Sequence, residues 1–110
     1  MPDVYEPGGA SPLDPVAAVV ACVERGADAL LFDAGALPAA FFDLRSGLAG
    51  EVAQKLVNYG LRMAAVVPDH PDQPPRFREF AREANGGGRL HFFATRAEAL
   101  AWLAAEGAGP

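Results

Sequence analysis

Largely apolar runs alternate along this chain with apolar positions at helical spacing. Three runs, at residues 29–32, 61–67 and 90–93, are apolar with little interruption. Runs of this length are typical of strands that are covered on both faces. Residues 3–6 add a shorter and weaker run, so the pattern predicts four strands.

The first and last helices are predicted from their capping residues as well as from their spacing. Asp14-Pro15 suits the start of a helix, because aspartate accepts hydrogen bonds from exposed amides and proline fits the first helical position. Gly26 ends that helix. Thr95 begins the last helix, and Glu98 follows three residues later in the pattern of a capping box. Leu100 and Leu103 are predicted to form the inward face of this helix.

Two more helical stripes lie between these ends, at residues 46–59 and 77–84, and residues 41–44 predict a short helical turn. Repeated strand–helix alternation predicts an α/β fold, with a four-stranded, mostly parallel sheet and four helices. The short first strand could pair antiparallel, so a mixed sheet stays open.

Size and composition agree with one domain. The chain has 110 residues, of which 51% are hydrophobic and 21% are charged. These values are ordinary for a small globular domain. We expect the domain to occupy residues 13–105, after an N-terminal strand and loop at 1–12 and before a frayed tail at 106–110.

Charge and residue usage disfavour several classes of protein. A net charge of −5 without a basic stripe disfavours nucleic-acid binding. The longest unbroken apolar run, residues 16–23, is too short to cross a membrane, and the acidic first residues do not fit a signal peptide. One cysteine fits a reducing cytoplasm, and the two histidines lack metal-ligand spacing. We therefore expect a cytoplasmic protein that uses no metal and no cofactor.

The helix at residues 46–59 separates into two faces at about 100° per residue. The predicted core side consists of Leu48, Ala49, Val52, Ala53, Leu56 and Tyr59. The predicted outward side consists of Gly47, Glu51, Gln54, Lys55 and Asn58. Glu51 and Lys55 have the spacing of an ion pair along a helix. The outward side is either a solvated surface or a platform for a ligand or partner.

Ser46 is the predicted N-cap of this helix. Because helix N-termini favour negative charge, the same position suits a phosphate on Ser46 or a bound anion. In a parallel sheet, ligands usually bind at the edge where the strands end. That edge would gather Asp33, Asp43, Arg45, Ser46, Asp69, His70, Asp72, Thr95 and Arg96.

Several short motifs recur in a known family. They are Phe41-Phe42-Asp43-Leu44, Gly47-Leu48-Ala49-Gly50-Glu51, Gln54-Lys55, Asn58-Tyr59, Phe80, Glu83-Ala84-Asn85 and Glu98-Ala99-Leu100. On these residues, the segment 30–103 resembles the bacterial domain of unknown function family 4180. That resemblance implies a fold and names no reaction.

A looser resemblance, carried by the order of elements around Asp43, Ser46 and Gly47-Leu48, is to STAS domains (the sulphate-transporter and anti-sigma-antagonist type). In that family an Asp-Ser-Ser-Gly-Leu motif begins the second helix, and its serine can be phosphorylated to switch binding of a partner kinase. The resemblance implies this role for Ser46. Here Asp43 lies three residues before the serine rather than two, and Leu44-Arg45 interrupt the motif.

Two hypotheses from different classes follow. The first is a non-enzymatic, STAS-like regulatory module that binds a protein partner or a small anion. Its predicted contact residues are Asp43, Arg45, Ser46, Gly47, Glu51, Gln54, Lys55, Asn58 and Tyr59. The alternative is a small cofactor-independent lyase, isomerase or cyclase, with Glu51 as general base or Asp43 as acid. A homodimer whose interface covers this face is a third interpretation.

Overall fold

A computed structural model describes residues 4–6, 14–33, 36–67, 75–86 and 89–108, with side chains described as far as residue 104. Its sheet has four strands in the order β1-β2-β3-β4, and each neighbouring pair is parallel. The strands are β1 Val4–Tyr5, β2 Ala29–Asp33, β3 Arg62–Val66 and β4 Leu90–Phe93. The α/β class and the parallel sheet are confirmed, and the mixed sheet that the sequence left open does not form.

Among the described residues, four longer helices and one short helical turn accompany the strands, as predicted. They are α1 Pro15–Glu24, the short α2 Ala39–Phe42, α3 Leu48–Tyr59, α4 Pro75–Asn85 and α5 Arg96–Ala108. The Asp14 side chain caps α1 by accepting a hydrogen bond from the Val16 amide at 3.0 Å. None of the helices in the described ranges is long and apolar enough to cross a membrane.

The larger half of the core lies between the sheet and helices α1, α3 and α4. Val19 of α1, Leu56 of α3 and Phe77 of α4 are buried there against strand residues such as Phe32 and Phe92. The rings of Phe77 and Phe92 meet edge to face with centroids 5.3 Å apart, a favourable geometry for aromatic pairs. Burial of this face fixes α3 and α4 on the same side of the sheet.

Helix α5 covers the opposite face of the sheet. Ala99 and Leu103 of α5 are buried against strand residues Ala29, Leu31, Ala64 and Val66. Successive side chains of a strand point to opposite faces of the sheet. Because both faces are covered, β2 needs apolar residues at consecutive positions. This double coverage explains the continuous apolar runs in the sequence.

Two residues predicted to face inward are exposed instead. Leu100 of α5 is 40% exposed, because Ala99 and Leu103 form the inward face of that helix. Tyr59 is 45% exposed, because it is the last residue of α3. Gly60 turns the chain there with φ 68°, and Leu61 occupies the buried position that follows.

Candidate functional site

A tight turn leads into α3. Asp43 Oδ1 accepts hydrogen bonds from the backbone amide of Arg45 at 3.1 Å and from its Nε at 3.3 Å. Asp43 thereby caps a 3-10 turn over Leu44–Ser46, and Gly47 ends that turn with φ 78°. Asp43, Arg45 and Ser46 are all exposed.

The side chain of Ser46 stabilises this turn by hydrogen bonds to three backbone groups. Its Oγ lies 2.6 Å from the carbonyl oxygen of Ala40 and 2.8 Å from that of Asp43, and the single hydroxyl proton is shared between these two acceptors. The same Oγ accepts from the Leu48 amide at 3.2 Å. Ser46 is not the N-cap that the sequence predicted, because the left-handed Gly47 stands between it and α3.

The outward side of α3 is open, as predicted. Glu51, Gln54 and Asn58 are exposed, and Lys55 is partly exposed. Gln54 Nε2 donates to Asn58 Oδ1 at 3.0 Å, and such a pair four residues apart stabilises a helix by about 0.2–0.5 kcal/mol. The bond leaves the Gln54 carbonyl oxygen and the Asn58 amino group as an acceptor and a donor that the pair can offer to another molecule.

Two exposed apolar residues flank these polar groups. Val57 is 58% exposed and lies three residues after Gln54, while the 45% exposed Tyr59 lies four residues after Lys55. Residues three and four apart are neighbours on a helix surface. We call this set, Glu51, Gln54, Lys55, Val57, Asn58 and Tyr59, the α3 outer face. Val57 was absent from the sequence prediction, which sorted α3 into one polar and one apolar side.

The predicted pair between Glu51 and Lys55 does not form. Asp43 with Arg45 and Glu6 with Arg96 form ion pairs within the described residues, and neither Glu51 nor Lys55 takes part in these. Glu51 and Lys55 therefore remain an acid and a base that are open to other contacts on the α3 outer face.

The edge where the strands end is organised by an interaction that the sequence did not reveal. Arg96, at the start of α5, makes a two-fold hydrogen-bonded ion pair with Glu6, which follows β1. Arg96 holds the pKa of Glu6 below its usual value, mainly through this hydrogen bond. The pKa of Arg96 is raised, chiefly by Glu6 and to a smaller extent by the charge of Asp33. The structure thus brings Asp33 near Arg96, whereas three further residues predicted at this edge, Asp69, His70 and Asp72, lie outside the described residues.

Comparison with known families classifies the chain. It matches the family described as domain of unknown function (DUF4180) over residues 11–103. The chain belongs to this family. No curated protein and no solved structure matches it. The match covers every element of this DUF4180 domain from α1 to β4 and most of α5, so both the turn and the α3 outer face lie inside it.

Asp43 and Glu51, the two carboxylates of the enzymatic hypothesis, are both exposed in this DUF4180 domain. The hydrogen bond from the Arg45 amide, and then that from its side chain, hold the pKa of Asp43 below its usual value. An ionised carboxylate at neutral pH has no proton to donate, so the geometry does not favour Asp43 as a general acid. Glu51 is exposed on α3. The pocket that is described between α4 and β4 is not lined by either of these carboxylates.

The described ranges also offer no cluster of side chains for a metal ion. No group of three or more histidine, cysteine, aspartate or glutamate side chains there is placed to hold a metal ion. Cys22 carries a buried thiol that contacts the carbonyl oxygens of Ala27 and Ala29. Its position is that of a small core residue.

Proposed function

We propose that this DUF4180 domain is a regulatory binding module that holds a protein partner on its α3 outer face. The observation that carries the proposal is the composition of this face. Gln54 and Asn58 form a hydrogen-bonded pair at its centre, and Val57 and Tyr59 lie exposed beside them. An exposed tyrosine beside polar groups is a combination that protein interfaces use.

The shape of the face favours a macromolecule over a small ligand. Side chains on the outer surface of an exposed helix form a convex surface, whereas small-molecule sites are concave pockets. Protein interfaces combine tyrosine and other apolar anchors with a polar rim. The hydrogen bond between Gln54 and Asn58 also restrains both side chains before binding, which lowers the entropy lost when a partner docks.

The charge of the face supports a protein partner as well. It carries one acid, Glu51, and one base, Lys55, in a chain whose net charge is −5. This neutral face lacks the cationic surface that a nucleic acid requires. The resemblance to STAS domains also supports partner binding near Ser46, and the use of a single cysteine supports a reducing, cytoplasmic setting.

The test compares two glutamates that lie on different helices. Tagged wild type, Glu51→Lys, Gln54→Ala and Glu79→Lys are expressed in the native host, and the captured proteins are quantified. Glu79 is an exposed glutamate of α4, so Glu79→Lys makes the same change of charge away from the α3 outer face. We expect wild type and Glu79→Lys to capture the same protein, and both α3 variants to lose at least nine-tenths of it.

Equal capture by all four proteins, or capture of nothing by wild type, would contradict the proposal. Light scattering on the purified chain identifies the partner further. A dimer that Glu51→Lys dissociates and Glu79→Lys does not would make the partner a second copy of this chain.

A further inference from the structure

A pocket of about 410 Å³ lies between α4 and the edge strand β4, away from the α3 outer face. Its volume is within the range of about 300–1,000 Å³ that is usual for small-molecule sites. Phe77, Ala81 and Phe92 supply its apolar lining. Phe77 is 1% exposed and Phe92 is 9% exposed, so this lining is held by the core and is formed before any ligand binds.

The polar lining consists of Arg78, Arg82 and Asn85. The side chain of Asn85 is already hydrogen-bonded to the backbone of β4. Its Oδ1 accepts from the Phe92 amide at 2.7 Å, and its Nδ2 donates to the Phe92 carbonyl oxygen at 3.2 Å. The side chain therefore pairs with the outward backbone groups of an edge strand. Of the two guanidinium groups that line this pocket, the proposal uses that of Arg82.

The two arginines lie four residues apart on α4, and like charges at this spacing repel each other. Arg78 makes a contact of its own within the chain. Arg82 is exposed, and among the described residues it joins neither of the ion pairs. A guanidinium such as that of Arg82 presents paired donors that fit carboxylate or phosphate oxygens.

We propose that the α4–β4 pocket binds a small organic anion, with a ring-sized apolar body against Phe77, Ala81 and Phe92 and an oxyanion on Arg82. The apolar lining and the cation are both required. An inorganic anion has no apolar body to bury, and a neutral ring has no charge to place against Arg82. This site is independent of the proposed partner surface.

Nitrogen–proton correlation NMR with three probes tests the proposal. The probes are phenylacetate, its neutral analogue phenylacetamide and inorganic phosphate. We expect millimolar phenylacetate to shift the backbone amides of α4 and β4 around Arg82 and Phe92 in a saturable way. Phenylacetamide and phosphate should bind at least tenfold more weakly.

Two arginine variants provide the matched comparison. Arg82→Gln should weaken phenylacetate binding at least tenfold, whereas Arg76→Gln should leave it unchanged, because Arg76 is an exposed arginine of α4 outside the pocket lining. Ala81→Leu, which fills the apolar part and keeps both arginines, should also abolish the shifts. No saturable shift with phenylacetate, equal binding of phenylacetamide, or equal losses in Arg82→Gln and Arg76→Gln would overturn the proposal.

Discussion

Asn85 and Asn58 are both exposed asparagines on helices, and their hydrogen bonds give them different structural roles. Asn85 pairs with the backbone of Phe92 on an edge strand, whereas Asn58 pairs with the side chain of Gln54 on its own helix. Edge strands present unpaired backbone groups that proteins commonly cover. Asn85 is such a cover, supplied by the helix that precedes the strand.

We predict that Asn85→Ala lowers the free energy of unfolding by about 1–2 kcal/mol, because it leaves the amide and carbonyl of Phe92 without their partner. Asn58→Ala should lower it by only about 0.2–0.5 kcal/mol, because it removes one pair on a helix surface. Urea unfolding of both variants measures the difference. Equal losses would show that the Asn85 bonds do not stabilise β4.

The pair of Glu6 and Arg96 predicts a dependence of stability on pH. The pKa of Glu6 in the folded chain is below its ordinary value of 4.5. The pair therefore stabilises the fold above that value, and this contribution is lost as the pH falls through the lowered pKa. We expect Glu6→Gln to be less stable than wild type at neutral pH, with the difference vanishing in acid.

Urea unfolding of wild type and Glu6→Gln across this pH range checks the sign. Glu98→Gln changes the same kind of charge in the first turn of α5 without touching the pair. The difference in the free energy of unfolding between Glu98→Gln and wild type should not show the pH dependence expected for Glu6→Gln. A Glu6→Gln difference that persists unchanged in acid would contradict the assignment.

At the scale of elements, α3 is fixed at both ends by left-handed glycines. Gly47 has φ 78° and Gly60 has φ 68°. A residue with a Cβ in this conformation costs about 1 kcal/mol or more. Gly50, in contrast, lies in the first turn of α3, where it has no positive φ and glycine is a poor helix former.

Substitution of these two α3 glycines should have opposite effects. A Cβ at Gly47 or at Gly50 would meet no other atom within 4 Å, so backbone conformation alone decides the result. Gly47→Ala should lower the free energy of unfolding by about 1 kcal/mol, and Gly50→Ala should raise it by about 0.5–1 kcal/mol. Thermal or urea unfolding that gave the same sign for both would contradict the start of α3 at Leu48.

The elements differ in how far the sequence predicts them. Strands β2, β3 and β4 are predictable, because coverage on both faces requires continuous apolar runs. In α1, however, Val19 is buried while Val20 and Val23 are 37% and 42% exposed. A helix with valines around much of its circumference does not reveal which side packs inward until its neighbours are known. The direction of β1 was open for a related reason, since two residues carry too little pattern to choose a partner.

The candidate site was predicted in the same uneven way. Helical periodicity alone predicts that Gln54 and Asn58 face outward, and both side chains are exposed in the structure. Helical periodicity is a local pattern, so it does not predict contacts between distant parts of the chain. The partner of Arg96 is Glu6, 90 positions away, and the role of Asn85 depends on a strand that follows a turn. Such contacts are set by topology rather than by local pattern.

At the scale of the whole molecule, one sheet is shared by two core regions. Helices α1, α3 and α4 cover one face, and α5 covers the other. Trp102 of α5 stacks on His91 of β4 with ring centroids 4.2 Å apart. As the single tryptophan of the chain, it reports on the docking of α5 against the sheet.

Because both core regions share the same strands, we expect the domain to unfold in one cooperative transition. Trp102 fluorescence and far-ultraviolet circular dichroism should give the same urea midpoint. Leu103→Ala, which removes a buried side chain of α5, should lower both midpoints together, by about 2–5 kcal/mol in stability. A fluorescence midpoint below that of circular dichroism would show that α5 undocks before the rest unfolds.

The central claim is that the α3 outer face contacts another protein, and site-specific photo-crosslinking tests it most directly. A photoreactive residue is placed at Gln54 and, as a control, at the exposed Ala101 of α5. We predict one discrete protein adduct from position 54, lost on adding Glu51→Lys, and none of the same mass from position 101. No adduct from position 54, or the same adduct from both positions, would contradict the claim.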